Sequence, residues 1–117
     1  MKTLAASVVD TTTQIAVRQF ADLVARDYPL QQTILFGSRA RGTAHDESDA
    51  DVALILSEPA QPFIKTKMAL SSLAYDVLLD TGVVIQALPV WEGQWLAPDS
   101  HSSPRLLHNI ARDGVVF

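Results

Sequence analysis

Between residues 37 and 51 the chain reads Gly-Ser-Arg-Ala-Arg-Gly-Thr-Ala-His-Asp-Glu-Ser-Asp-Ala-Asp, and these residue types at this spacing point to phosphate and metal chemistry. Gly37 has no Cβ, so an anion can come close to the backbone there. Ser38 adds a hydroxyl and a backbone N–H, and if a helical turn starts after it, the first N–H groups and the helix dipole favour a phosphate. Arg39 and Arg41 can neutralise phosphate charge, with a bidentate fork where geometry permits. After ten intervening residues come Asp49 and Asp51. Their spacing of two at the start of a strand puts both carboxylates on one face. Two acids held that close at the end of an apolar strand resist joint ionisation. A divalent cation is the usual relief, and Mg²⁺ suits one or two carboxylates completed by water and substrate phosphates.

Other polar and aromatic residues carry less. His45, Asp46 and Glu47 read as solvated loop charges. Trp91 and Trp95, four apart, can stack a base or anchor a partner, although aromatics so placed more commonly cover the edge of a core. His101 and His108 are seven apart with no third ligand in view, a weak case for a metal. Met68 reads as core packing.

The elements that must position the motif follow from periodicity. Thr11 to Tyr28 is a helix, with Val17, Phe20 and Val24 on its apolar face beside Leu23, a start capped by Thr11 to Thr13, and a stop at Pro29. Thr33 to Phe36 is a short buried strand that ends at Gly37. Asp51 to Leu56 is apolar after its first residue, as expected of a strand buried on both faces. Pro62 suits the first turn of a helix that runs to Asp80, with Ile64, Met68, Ala74 and Val77 inward and Gly82 ending it. Val83 to Val90 is a third strand, Trp91 to Ser102 is irregular, and Pro104 to Arg112 is a closing helix stopped by Gly114. The expected architecture is α/β (α+β), a small mixed sheet of about three to four strands with helices packed against it, as one domain over residues 1–117.

The spacing excludes two familiar phosphate loops. Gly-x-x-x-x-Gly-Lys-Ser/Thr is absent, with no Lys between Lys2 and Lys65, and so is the Gly-x-Gly-x-x-Gly of dinucleotide-binding folds. Gly-Ser, ten residues, then Asp-x-Asp resembles instead the signature of the DNA polymerase beta-like nucleotidyltransferase superfamily. The run from Ile34 to Gly42 is similar in particular to its minimal nucleotidyltransferase (MNT) members, and Pro104 to Gly114 looks like the same family's closing segment. The resemblance implies a polymerase beta-like fold and Mg²⁺-dependent transfer of AMP from ATP to a hydroxyl. It implies Gly37 and Ser38 on the triphosphate, where Arg39 and Arg41 can add their charge, and Asp49 and Asp51 as catalytic ligands of two Mg²⁺ ions. It also implies a HEPN-domain toxin as partner, with a toxin tyrosine as acceptor, so that the chain would be the antitoxin of a toxin–antitoxin pair. One position departs from the family pattern. Where the superfamily carries a third carboxylate on the later strand, this chain has Gln86, whose amide accepts hydrogen bonds but brings no negative charge. That leaves open an antitoxin that acts by binding alone, and a transferase with a small-molecule or RNA acceptor.

Composition bounds these options. The chain has 117 residues, 48% hydrophobic and 19% charged, which is globular rather than disordered. It has no cysteine, hence no disulfide framework and no Cys-based zinc site. Nine basic against thirteen acidic side chains give a net charge of −4, the wrong sign for general nucleic-acid binding. No run approaches the roughly 20 apolar residues of a membrane span, and the apolar run after Lys2 is cut short by Ser7 and Asp10, which makes a poor secretory signal. A cytoplasmic protein is expected. Because limited helical cover leaves apolar surface, a hetero-complex or dimer is expected as well.

Overall fold

The computed structural model describes residues 1–45 and 48–117, so Asp46 and Glu47 lie outside the described residues. Helix α1 (Thr11–Asp27) is capped by Asp10 rather than by the threonines themselves. Asp10 Oδ2 accepts from the Thr13 N–H at 3.1 Å and Oδ1 from the Thr13 hydroxyl at 2.6 Å. A carboxylate is the stronger acceptor for an orphan first-turn donor, which is why it takes the capping position. Val17, Phe20 and Val24 are buried as their spacing predicts, with Leu23 packed beside them.

Three strands build the centre of the sheet. β2 (Leu30–Phe36) pairs antiparallel with β3 (Ala50–Leu56), Phe36 standing opposite Asp51. β4 (Ile85–Trp91) runs parallel to β3, with Asp51 opposite Gln86. A parallel pair needs a long crossover, and helix α3 (Phe63–Thr81) supplies it, following the one-turn helix α2 (Ser38–Arg41). Glu92–Leu96 forms helix α4 and Pro104–Asp113 helix α5. Two strands were not anticipated. Lys2–Thr3 is β1 and Val115–Val116 is β5, giving five strands in the order β1-β5-β2-β3-β4. Two residues carry no readable alternation, and Lys2 finds Val115 only once the chain ends meet.

Strand alternation divides the core into two layers. Val52, Leu54 and Leu56 of β3 join α1 and α3 in one, while Ala53 and Ile55 join Leu107 and Ile110 of α5 in the other. Asp51 is in phase with Ala53 and Ile55, so it belongs to the α5 side of the sheet, as does Gln86, in phase with Leu88 and Val90.

Helix α3 is rotated from the expected orientation. Thr66, Leu70, Ala74 and Val77 are its buried residues, whereas Ile64 and Met68 are exposed and are not core. Ala74 and Val77 are buried as expected, but apolar residues occur on two faces of this helix, so periodicity alone misplaces its first half. Pro62 stands just before the helix rather than in its first turn, and Gly82 ends it at φ +77° as expected. No helix is long and apolar enough to cross a membrane among the described residues.

Candidate active site

β2 ends where the chain must turn within one residue, and Gly37 makes that turn at φ +76° and ψ −160°. An L side chain rarely adopts this backbone. A Cβ on Gly37 would also collide with Asp51 Oδ2. The glycine thus allows the carboxylate of β3 to lie directly against the turn that closes β2. Ser38 is the first residue of α2, so the helical start that favours an anion is present. Gly42 closes α2 at φ +76°, its N–H donating to the Ser38 carbonyl.

The two acids meet at the same end of the sheet. Asp49 immediately precedes β3 and is exposed, while Asp51 is the strand's second residue and is half-buried. The Gln86 amide donates to Asp49 Oδ2 at 3.2 Å. Burial pushes the Asp51 carboxyl above its ordinary value of 3.8, the charge of Asp49 raises it further, and the cations Arg41 and Lys67 hold it back. An acid pair whose mutual repulsion is only partly offset is a place where a cation is stabilising.

Arg41 is exposed beside this pair, and the structure brings it together with Gly37, Ser38, Asp49, Asp51 and Gln86. Arg39 turns the other way. It is 8% exposed, its Nε donates to the Ser48 carbonyl at 2.7 Å, and its Nη1 donates to the Thr13 hydroxyl at 2.7 Å. These bonds put it to a different use from the phosphate contact expected of it. It ties α2 to the capped start of α1 and anchors the residue just before Asp49. A guanidinium with several fixed donors suits such bridging.

Lys67 was not anticipated. Its Nζ donates to the Ala87 carbonyl at 2.7 Å, and its charge reaches Asp51. No local signal marks Lys67, because its partners Ala87 and Asp51 come from strands that only the folded chain brings beside α3. Trp91 is core, its indole N–H donating to Glu58 at 3.3 Å, and Trp95 packs partly buried in the layer beneath α5. His101 Nδ1 accepts from the Ser103 N–H at 2.9 Å, and His108 is exposed. The His45 N–H donates to the Ser48 hydroxyl and its carbonyl accepts from the Ser48 N–H, closing the short loop before Asp49.

Among the described residues no group of three or more His, Cys, Asp or Glu comes together. The available hard-oxygen set is therefore the Asp49–Asp51 pair, with the Gln86 amide beside it. That set fits a cation satisfied by one or two carboxylates plus phosphate oxygens, which is the habit of Mg²⁺, and does not fit an all-protein cage.

No curated protein sequence matches the chain. Among solved structures it is similar to a protein of Sulfolobus solfataricus provisionally assigned as a nucleotidyltransferase, at 20% identity. The match covers 94% of this chain and 89% of that one, with a TM-score of 0.52. That likeness bears on the fold. The model of a nucleotidyltransferase domain matches residues 17–96, a span that runs from α1 through α4 and contains the Gly-Ser turn, both acids and Gln86. The chain belongs to the nucleotidyltransferase domain family.

Proposed function

We propose that the protein transfers AMP from ATP to an acceptor hydroxyl, with Mg²⁺ held by Asp49 and Asp51, and that the acceptor is a tyrosine of a HEPN-domain toxin. The observation that carries this reading is the Asp51 carboxylate lying against the Gly37 turn with Asp49 beside it. Ser38 and Arg41 then receive the triphosphate. The backbone and hydroxyl of Ser38 donate to phosphate oxygens, and Arg41 neutralises their charge. Bound Mg²⁺ would supply charge neutralisation at the phosphates and lower the cost of ionising the attacking hydroxyl. The acceptor hydroxyl gives up its proton to water, its oxygen forms a bond to the α-phosphorus, the bond from that phosphorus to the bridging oxygen breaks, and pyrophosphate leaves. Arg39 and Gln86 act as positioning residues, one through Ser48 and the other on Asp49.

The toxin partner and tyrosine acceptor rest on the likeness of residues 34–42 to MNT antitoxins, and a cytoplasmic location goes with them. The net charge of −4 disfavours an RNA acceptor. A second reading has its own observation. The Gln86 amide already satisfies one Asp49 oxygen without adding negative charge, an arrangement that suits a catalytically weak antitoxin which neutralises the toxin by covering it. Incubation with ATP labelled at the α-phosphate, Mg²⁺ and the cognate HEPN protein separates the two. Label that survives denaturation on the toxin, and is lost with Asp49→Asn, supports transfer. A tight complex that never takes label supports occlusion and overturns transfer.

A further inference from the structure

Helix α3 carries a second apolar stripe that its own fold does not bury. Ile64, Met68, Tyr75 and Leu79 are 65%, 69%, 58% and 70% exposed. At about 100° per residue these four fall within roughly 60° of arc, opposite the buried Thr66, Leu70, Ala74 and Val77. A helix apolar on both sides is normally covered on both sides. Between the two halves of the stripe stand the small residues Ser71 and Ser72.

The charges beside the stripe say what covers it. Lys65, Asp76 and Asp80 are exposed on one flank, with the cation toward the start of the helix and the acids toward its end. When two copies of one helix pair antiparallel, like flanks face each other. With Ile64 set against Leu79 and Met68 against Tyr75 of the second copy, the two-fold axis passes between Ser71 and Ser72. Lys65 then lies opposite position 78 of the second copy, between Asp76 and Asp80, and the match occurs twice by symmetry. Small residues at the centre let the helices approach closely, at the shallow crossing of roughly 20° common to paired helices. The neighbouring sheet edge offers no competing route. β4 is an edge strand, Pro89 within it has no N–H, and Lys67 covers the Ala87 carbonyl, two devices that discourage strand addition.

We propose that the outer face of α3 is a self-association surface, which pairs antiparallel with the same face of a second copy of this chain. One helix per partner makes an interface at or below the low end of the roughly 1,200–2,000 Å² of stable complexes, so the dimer forms reversibly as concentration rises through the micromolar range. The surface is independent of nucleotide and metal.

Sedimentation equilibrium of the full chain over that range tests this directly. The expected result is a monomer–dimer equilibrium weakened about tenfold or more by Met68→Asp, with the far-ultraviolet circular dichroism unchanged. Lys65→Asp weakens it too, and adding Asp76→Lys and Asp80→Lys restores it, a rescue that general stickiness cannot produce. Since the chain has no cysteine, Ser72→Cys should give a covalent dimer on oxidation, whereas Asp22→Cys on α1 should not. A chain that stays monomeric throughout, or a dimer indifferent to these substitutions, overturns the proposal.

Discussion

A methyl group at residue 37 would meet Asp51 Oδ2, and the backbone there sits at φ +76°, so Gly37→Ala is penalised by strain and by collision together. The expected cost is about 1–3 kcal/mol, read by chemical denaturation, with loss of nucleotide binding beyond what the lower stability explains. Asp51→Asn behaves oppositely. Replacing a carboxylate held half-buried beside Asp49 by a neutral amide removes repulsion, so without divalent ions this variant should melt at or above the wild-type temperature at neutral pH. Added Mg²⁺ and ATP should then stabilise the wild type alone. Arg39 belongs with the fold rather than the substrate. Arg39→Ala takes away hydrogen bonds made by a charged donor, of about 1.5–3 kcal/mol, and should lower stability whether or not ATP is present. The juxtaposition of Gly37, Asp49 and Asp51 was legible because they lie within fifteen consecutive residues and their spacing fixes them on two adjoining strand ends. The inward turn of Arg39 was not, since its partners Thr13 and Ser48 come from segments that only the folded chain brings together.

At the scale of elements, the start of α1 is a joint on which the site rests, because Asp10 holds Thr13 and Thr13 holds Arg39. Asp10→Ala should cost about 1 kcal/mol. Burial pushes the Asp10 carboxyl up, but the bonds from Thr13 and the charge of Arg39 outweigh it and hold the carboxyl below 3.8. A lowered folded value means that the unfolded chain binds the proton first as pH falls. The stabilisation is therefore complete above 3.8 and is lost as pH drops through the folded value. Melting curves in that acid window should fall less steeply for Asp10→Asn than for the wild type. Helices α1, α3 and α5 and the central strands were readable because each is long enough to show a period, whereas the five-residue α4 lies in the stretch expected to be irregular. The phase of α3 was legible only in its second half, where Ala74 and Val77 are buried as expected; in the first half Ile64 and Met68 compete with Thr66 and Leu70 for the inward face, and only packing against α1 and β4 decides between them.

Taken whole, the molecule places the candidate site at the one end of the sheet where the antiparallel neighbour of β3 ends and its parallel neighbour begins. The turn after β2 and the openings of β3 and β4 deliver Ser38, Asp51 and Gln86 to one rim. The remaining surface carries the acidic balance and the outer stripe of α3. β1 and β5 close the far edge of the sheet, pairing the chain's first residues with its last. Such a distant pairing leaves no trace in local sequence.

Thermal unfolding with ATP, in the presence and absence of Mg²⁺, for the wild type and for Asp49→Asn and Asp51→Asn, addresses the acid pair and the Gly-Ser turn together. A ligand at 100-fold over its Kd adds about 2.7 kcal/mol, and the wild type should gain that much only when Mg²⁺ is present, with neither variant gaining it. Stabilisation that ignores Mg²⁺ or survives both substitutions, or its absence from the wild type, would contradict the assignment of this rim as a metal-dependent triphosphate site.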